Sequence, residues 1–65
     1  MKVFLNQHPC ELPAGATLAQ AVATSQVTPP FAAALNQQFV PNTQYAQTSL
    51  QEGDQIELIA PVVGG

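Results

Sequence analysis

Short stretches in which apolar residues alternate with polar ones, or recur in brief runs between turn residues, dominate this chain. Such a period of two is typical of a half-buried β-strand. In the first stretch Val3 and Leu5 fall on one face and Phe4 on the other. The pattern predicts strands over residues 2–5, 9–12, 31–35, 39–40 and 55–60.

A single helix is predicted between the second and third strands. Thr17, followed three positions later by Gln20, matches a helix N-cap with a capping box. The helix would span residues 18–25, and the consecutive prolines Pro29 and Pro30 prevent its continuation. Its apolar stripe consists of Leu18, Ala21 and Val22.

The order of these elements is hairpin, helix, hairpin and final strand. This order is typical of the α+β class with a β-grasp, or ubiquitin-like, arrangement. We expect a mixed four- to five-stranded sheet packed on one short helix, with the first and last strands parallel in its centre. The polar segment 42–49 has no clear period, and Tyr45 and Leu50 are its expected anchors in the core.

Charge and composition exclude several classes of function. Lys2 is the only basic side chain of the 65 residues, and the formal net charge is −3. Nucleic acids and anionic membranes are therefore not expected partners, whereas a basic protein surface is. The four acidic side chains are Glu11, Glu52, Asp54 and Glu57.

Counting the reactive side chains also excludes a metal centre and a disulfide. One cysteine, Cys10, cannot form an internal disulfide, and one histidine, His8, has no second ligand beside it. Cys10 alternates with Leu12 and is predicted to be a buried strand residue, and His8 to be a solvated turn residue. No targeting or membrane-spanning segment is recognisable, which predicts a cytoplasmic protein.

The most informative feature is the end of the chain. Residues 1–60 are predicted to form the folded domain and residues 61–65 an extended, flexible tail that closes with Gly64 and Gly65. Because glycine lacks a Cβ, this tail can enter a slot too narrow for side chains. Its terminal carboxylate is ionised at neutral pH and can attack the α-phosphate of ATP bound by another enzyme.

Three pieces of the sequence resemble bacterial thiamine-pathway sulfur carrier proteins. They are the stretches 34–41 (ALNQQFVP) and 50–58 (LQEGDQIEL) and the closing diglycine. The similarity covers essentially the whole chain, including the opening residues 3–6 and the entry to the helix at residues 13–18.

This resemblance implies a carrier with no catalytic residue of its own. A ubiquitin-activating-type enzyme, using ATP and Mg, would adenylate the Gly65 carboxylate. A cysteine desulfurase relay would supply sulfur to form a thiocarboxylate, which would donate it to thiazole synthase. Val63, Gly64 and Gly65 would thread into the partner active sites, and the carrier itself would bind no cofactor.

Recognition by these partners is expected to use the outward face of the sheet. Phe4 and Ile59 are predicted to be neighbours there, and Phe39 to extend the same patch. The segment 60–63, which contains a proline, resembles the molybdopterin synthase small subunit as much as it resembles the thiamine carriers. The short helix favours the thiamine pathway. The residues are also compatible with a protein tag joined through Gly65 to a lysine, and with an inert β-grasp interaction module.

Overall fold

The computed structural model describes residues 1–25, 27 and 31–60. The elements are β1 (Lys2–Leu5), β2 (His8–Glu11), α1 (Leu18–Ser25), β3 (Ala32–Leu35), β4 (Gln38–Val40), a 3₁₀ helix (Asn42–Gln47) and β5 (Gln55–Ile59).

The five strands form one mixed sheet in the order β2-β1-β5-β3-β4. β1 and β5 run parallel in the centre, where Leu5 lies opposite Ile56. The other neighbouring strands are antiparallel. This topology confirms the predicted mixed sheet with one short helix and a parallel central pair.

The hydrophobic core lies between the sheet and α1. Val3 and Leu18 are fully buried and Ile56 is 1% exposed, so each of the central strands and the helix contributes a core residue. The alternation predicted from the sequence therefore holds for β1 and β5. The complete buried set is Val3, Leu12, Ala16, Leu18, Ala21, Ala33, Val40, Leu50, Ile56 and Leu58.

The entry to α1 also follows the sequence prediction. The Thr17 backbone N–H donates to Gln20 Oε1 at 2.9 Å, which is the return half of a capping box. Thr17 additionally forms an isolated bridge with Ser49, so the helix start is tied to the chain ahead of β5.

The observed strands exclude Leu12, Phe31 and Ala60, which were predicted to belong to them, and two strands begin one residue earlier than predicted for a common reason. The sequence pattern puts His8 and Gln38 in turns, but each is the first residue of a strand, β2 and β4 respectively. The turns are shorter than expected, because Asn6-Gln7 and Asn36-Gln37 have positive φ at both positions. This is the geometry of a two-residue type I′ hairpin turn, after which pairing resumes at once.

The segment between β4 and β5 contains a 3₁₀ helix that the sequence did not predict. Its six residues are mostly polar, and the segment is too short to show an amphipathic pattern. Tyr45 packs against the core, and its ring stacks on Phe31 with 6.2 Å between centroids. Leu50 is 5% exposed, so both predicted anchors of this segment are confirmed.

We predict that Leu18→Ala lowers the free energy of unfolding by about 3 kcal/mol, because it opens a cavity at a fully buried site. Phe39→Ala removes a larger side chain that is 69% exposed, and its cost should stay below about 1 kcal/mol. Urea denaturation of both variants measures the difference. Equal losses would contradict the assignment of Leu18 to the core.

Candidate functional site: the outer sheet face and the strand that ends it

The last strand occupies the centre of the sheet and leads the chain towards its end. Ile59 is the final strand residue, followed by Ala60. The predicted tail, including Val63, Gly64 and Gly65, lies outside the described residues. The candidate site therefore consists of β5 and the face of the sheet that surrounds it.

The two most exposed large apolar side chains lie on the outer face of the sheet, the face opposite α1. Phe39 is 69% and Ile59 58% exposed. They flank β3 from opposite sides, since Phe39 pairs with Ala34 and Ile59 with Ala32. Ala32 and Ala34 have short side chains, so Phe39 and Ile59 project from the sheet on either side of β3.

The predicted contact between Phe4 and Ile59 is wrong. Phe4 does lie on the outer face, but its partner on β5 is Gln55, at the opposite end of the strand from Ile59. At about 3.3 Å per residue, the two positions are separated by about 13 Å along β5. The parallel register, which no residue pattern specified, is the cause of the error.

Glu57 adds a charge to the centre of this face. It lies opposite Ala34, whose other partner is Phe39. We define the outer patch as Phe39, Glu57 and Ile59. It combines two exposed apolar groups with one exposed carboxylate.

The other three carboxylates have partners within the chain. Glu11 lies 3.7 Å from the N-terminal ammonium group, and Glu52 accepts the Lys2 backbone N–H at 3.0 Å. Asp54 accepts hydrogen bonds from Gln51 N and Asn36 Nδ2. Among the described residues, Glu57 is thus the acidic side chain left for an external cation. Asp54 therefore holds its own turn through Gln51 and binds the second hairpin through Asn36.

Two residues that the sequence analysis did not single out hold β5 in place. The tripeptide Leu-Asn-Gln occurs twice, at residues 5–7 and 35–37, and each copy forms a type I′ turn beside β5. In both copies the asparagine side chain binds the backbone of β5. The repeated tripeptide is the available signal in the sequence, but three residues are too few to suggest a repeat.

Asn36 binds the beginning of β5. Its Oδ1 accepts the Gln55 N–H at 2.9 Å, its Nδ2 donates to Asp54 Oδ1 at 3.1 Å, and its own backbone N–H donates to the Gln55 carbonyl at 2.7 Å. The second hairpin is thereby locked to the turn that precedes the last strand.

Asn6 binds β5 nearer its end. The Leu58 N–H donates to Asn6 Oδ1 at 2.9 Å, and Asn6 Nδ2 donates to the Leu58 carbonyl oxygen at 3.4 Å. The Asn6 backbone N–H donates to the Ile56 carbonyl oxygen at 2.8 Å. The side-chain amide therefore continues the pairing of β1 with β5 beyond the point where β1 ends.

The remaining candidate residues lie apart from this site. Cys10 is a free thiol in β2 that lies opposite Val3 and packs against the core; it is a strand residue, as predicted, but it is half-buried and not buried. His8 is exposed at the start of β2. A cleft of about 350 Å³ lies beside β5, and it is lined by Gln7, Asn36, Gln37, Gln55, Ile56 and Glu57.

The geometry and the terminal diglycine agree with what comparison with known families finds. The model of the ThiS family matches residues 3–65. The chain belongs to the ThiS family.

Two relatives are similar over their whole length. The sulfur carrier protein ThiS of Escherichia coli (strain K12) is 36% identical over 66 residues, with all of both chains covered. The crystal structure of the thiamine biosynthesis protein ThiS from Geobacter metallireducens is 17% identical and covers all of both chains, with a TM-score of 0.82. At that identity the second likeness establishes the fold, which is the predicted β-grasp.

Neither a membrane-spanning helix nor a metal-binding cluster is found among the described residues. None of their helices is long and apolar enough to cross a membrane. No group of three or more His, Cys, Asp or Glu side chains among them is placed to hold a metal ion.

We predict that Asn36→Gly lowers the free energy of unfolding by about 1–2 kcal/mol, the net value of two hydrogen bonds. Gln37→Gly should be neutral or stabilising by up to about 1 kcal/mol, because glycine favours the positive φ of this position. Both variants place one glycine in the same turn, so their difference in urea denaturation isolates the Asn36 amide. Equal effects would contradict its role.

Proposed function

We propose that this chain is the sulfur carrier of thiamine biosynthesis, with the sulfur held as a thiocarboxylate at Gly65. Membership of the ThiS family supports this role most strongly, and the terminal diglycine is the chemical feature that the role requires. The chain acts as a substrate of other enzymes and is not itself an enzyme.

The chemistry takes place on the terminal carboxyl group in two steps. A carboxylate oxygen of Gly65 attacks the α-phosphorus of ATP, the bond to the β-phosphate breaks, and pyrophosphate leaves. A persulfide sulfur then attacks the acyl carbon of this adenylate and AMP leaves. Reductive cleavage of the resulting S–S bond by a thiol leaves the thiocarboxylate at Gly65 and a disulfide on the donor side.

Partners supply every other group that these steps need. A ubiquitin-activating-type enzyme would bind ATP and Mg and adenylate the carrier. A cysteine desulfurase relay would provide the sulfur, and thiazole synthase would accept it. The carrier contributes a folded domain that each partner recognises and an exposed chain end that fits a narrow active site.

The outer patch is the proposed docking surface. Phe39 and Ile59 offer exposed apolar area, and Glu57, which lies two positions before Ile59 and across Ala34 from Phe39, offers a carboxylate with no partner among the described residues. Because Ile59 is also the last residue of β5, a partner that binds the patch holds the chain close to where the tail begins. We expect the partner surface to present an apolar pocket beside a lysine or arginine.

Three rival functions differ in what attacks the adenylate or accepts the sulfur. The same fold and the same terminal diglycine are expected for a molybdopterin synthase small subunit, but the family match supports the thiamine pathway. A protein tag would use a lysine amine in place of sulfur as the nucleophile. An inert interaction module would use neither, so it would not depend on a free Gly65 carboxylate.

We predict that adding one alanine after Gly65 abolishes ATP–pyrophosphate exchange by the adenylating enzyme, because the added residue moves the reacting carboxylate away from its position at the bound nucleotide. An alanine inserted before Met1 is the matched control and should leave the exchange rate within about twofold, since the change lies on the folded domain. Unchanged exchange with the extended tail would contradict Gly65 as the adenylated residue.

We predict that the double variant Phe39→Ala/Ile59→Ala raises KM for the adenylating enzyme by about tenfold or more, with kcat little changed. Glu57→Lys should also raise KM, and KM should then depend less on salt concentration than in the wild-type protein. Gln47→Ala changes an exposed residue of the 3₁₀ helix, which lies against α1 on the other side of the sheet, and serves as control. Equal KM values in all variants would place the docking surface elsewhere.

A further inference from the structure

The last strand has more backbone to pair than its parallel neighbour can reach. In a strand, successive residues direct their N–H and C=O groups to opposite sides. The backbone N–H and C=O groups of Ile56 and Leu58 point towards β1. However, β1 ends at Leu5, and the chain turns away at Asn6. Without a further partner, the N–H and C=O of Leu58 would form an open edge at the point where the chain leaves the sheet.

The Asn6 side chain fills that position. Its amide accepts from the Leu58 N–H at 2.9 Å and donates to the Leu58 carbonyl at 3.4 Å, so it reproduces the two bonds of a peptide group. On the other side of β5, Ile59 pairs with Ala32 of β3. The end of β5 is thus held on both sides only while this amide is present.

We propose that Asn6 is a positioning residue for the reaction at Gly65: its amide fixes Leu58 and thereby the direction in which the chain leaves the sheet. This inference rests on the proposed function. Leu58 is seven positions before Gly65, and a rotation of the strand end about its pairing with β3 changes the direction in which Ile59 and Ala60 leave the sheet. A reacting group that is displaced from its partner reacts more slowly even when docking is unchanged.

The chain contains its own matched control. Asn36 occupies the same position of the second Leu-Asn-Gln tripeptide and of its type I′ turn, and its Oδ1 likewise accepts a backbone N–H of β5, while its Nδ2 donates to Asp54 Oδ1 and not to a strand carbonyl. That N–H belongs to Gln55, the first residue of β5, and not to the strand end. Removing either amide weakens the fold by a similar route, whereas only the loss of Asn6 frees the exit of the chain.

The first test uses the carrier alone. Backbone ¹⁵N relaxation of Ile59 and Ala60 is measured in the wild-type protein, Asn6→Gly and Asn36→Gly. We expect order parameters of these two amides to fall to about 0.6 or lower in Asn6→Gly and to keep rigid values near 0.85 in the other two proteins. Equal values in both variants would overturn the proposal.

The second test is ATP–pyrophosphate exchange with the adenylating enzyme, at a temperature at which all variants are folded. Asn6→Gly should lower kcat by about tenfold and should raise KM by much less, because Phe39 and Glu57 of the outer patch stay in place and only Ile59 is loosened. Asn36→Gly should change neither by more than about twofold. Asn6→Asp keeps the acceptor for the Leu58 N–H but repels its carbonyl oxygen, so its kcat should fall between the two.

The outcomes separate the two proposals. Equal kcat losses in Asn6→Gly and Asn36→Gly would mean that the amides act through stability alone, and the positioning role would be rejected. An absence of exchange with the wild-type carrier would instead contradict the proposed function, and the relaxation measurement then decides by itself whether Asn6 orders the end of β5.

Discussion

The parallel pairing of the first and last strands is the constraint on which the rest of the structure depends. Val3 of β1 and Ile56 of β5 come from distant parts of the sequence and lie on the core face of neighbouring strands, where both are completely or almost completely buried, like Leu18 of the helix. Since parallel neighbours need a long connection, everything between these strands acts as the crossover. The same pairing puts the last residues of the folded chain at the centre of the sheet.

Because of this placement, the two faces of β5 have different surroundings. The inner face of β5 contributes Ile56 and Leu58 to the core, while its outer face presents Glu57 and Ile59. One short strand therefore anchors the fold, displays part of the proposed docking surface and precedes the residues that we propose to carry the chemistry. A carrier handed between enzymes needs all three properties close together, because a partner must hold the domain and reach the chain end at once.

The strands and the helix were predicted from patterns among neighbouring residues. The register of pairing between distant strands could not be predicted in this way. Alternation identified β1 and β5, and Thr17 with Gln20 identified the start of α1, because these signals depend on neighbours in the chain. The contact between Phe4 and Ile59 failed because a parallel register is set by distant partners. The sequence marks Asn6 and Asn36 as turn residues only, and their second role becomes visible when β5 is placed beside them.

The intact mass of the protein isolated from its native cells under thiamine starvation tests most directly whether Gly65 carries sulfur. We expect a species heavier by the difference between one sulfur and one oxygen, with fragmentation locating that difference at Gly65. An unmodified carboxylate as the only form, or a covalent adduct with a lysine of another protein, would contradict it.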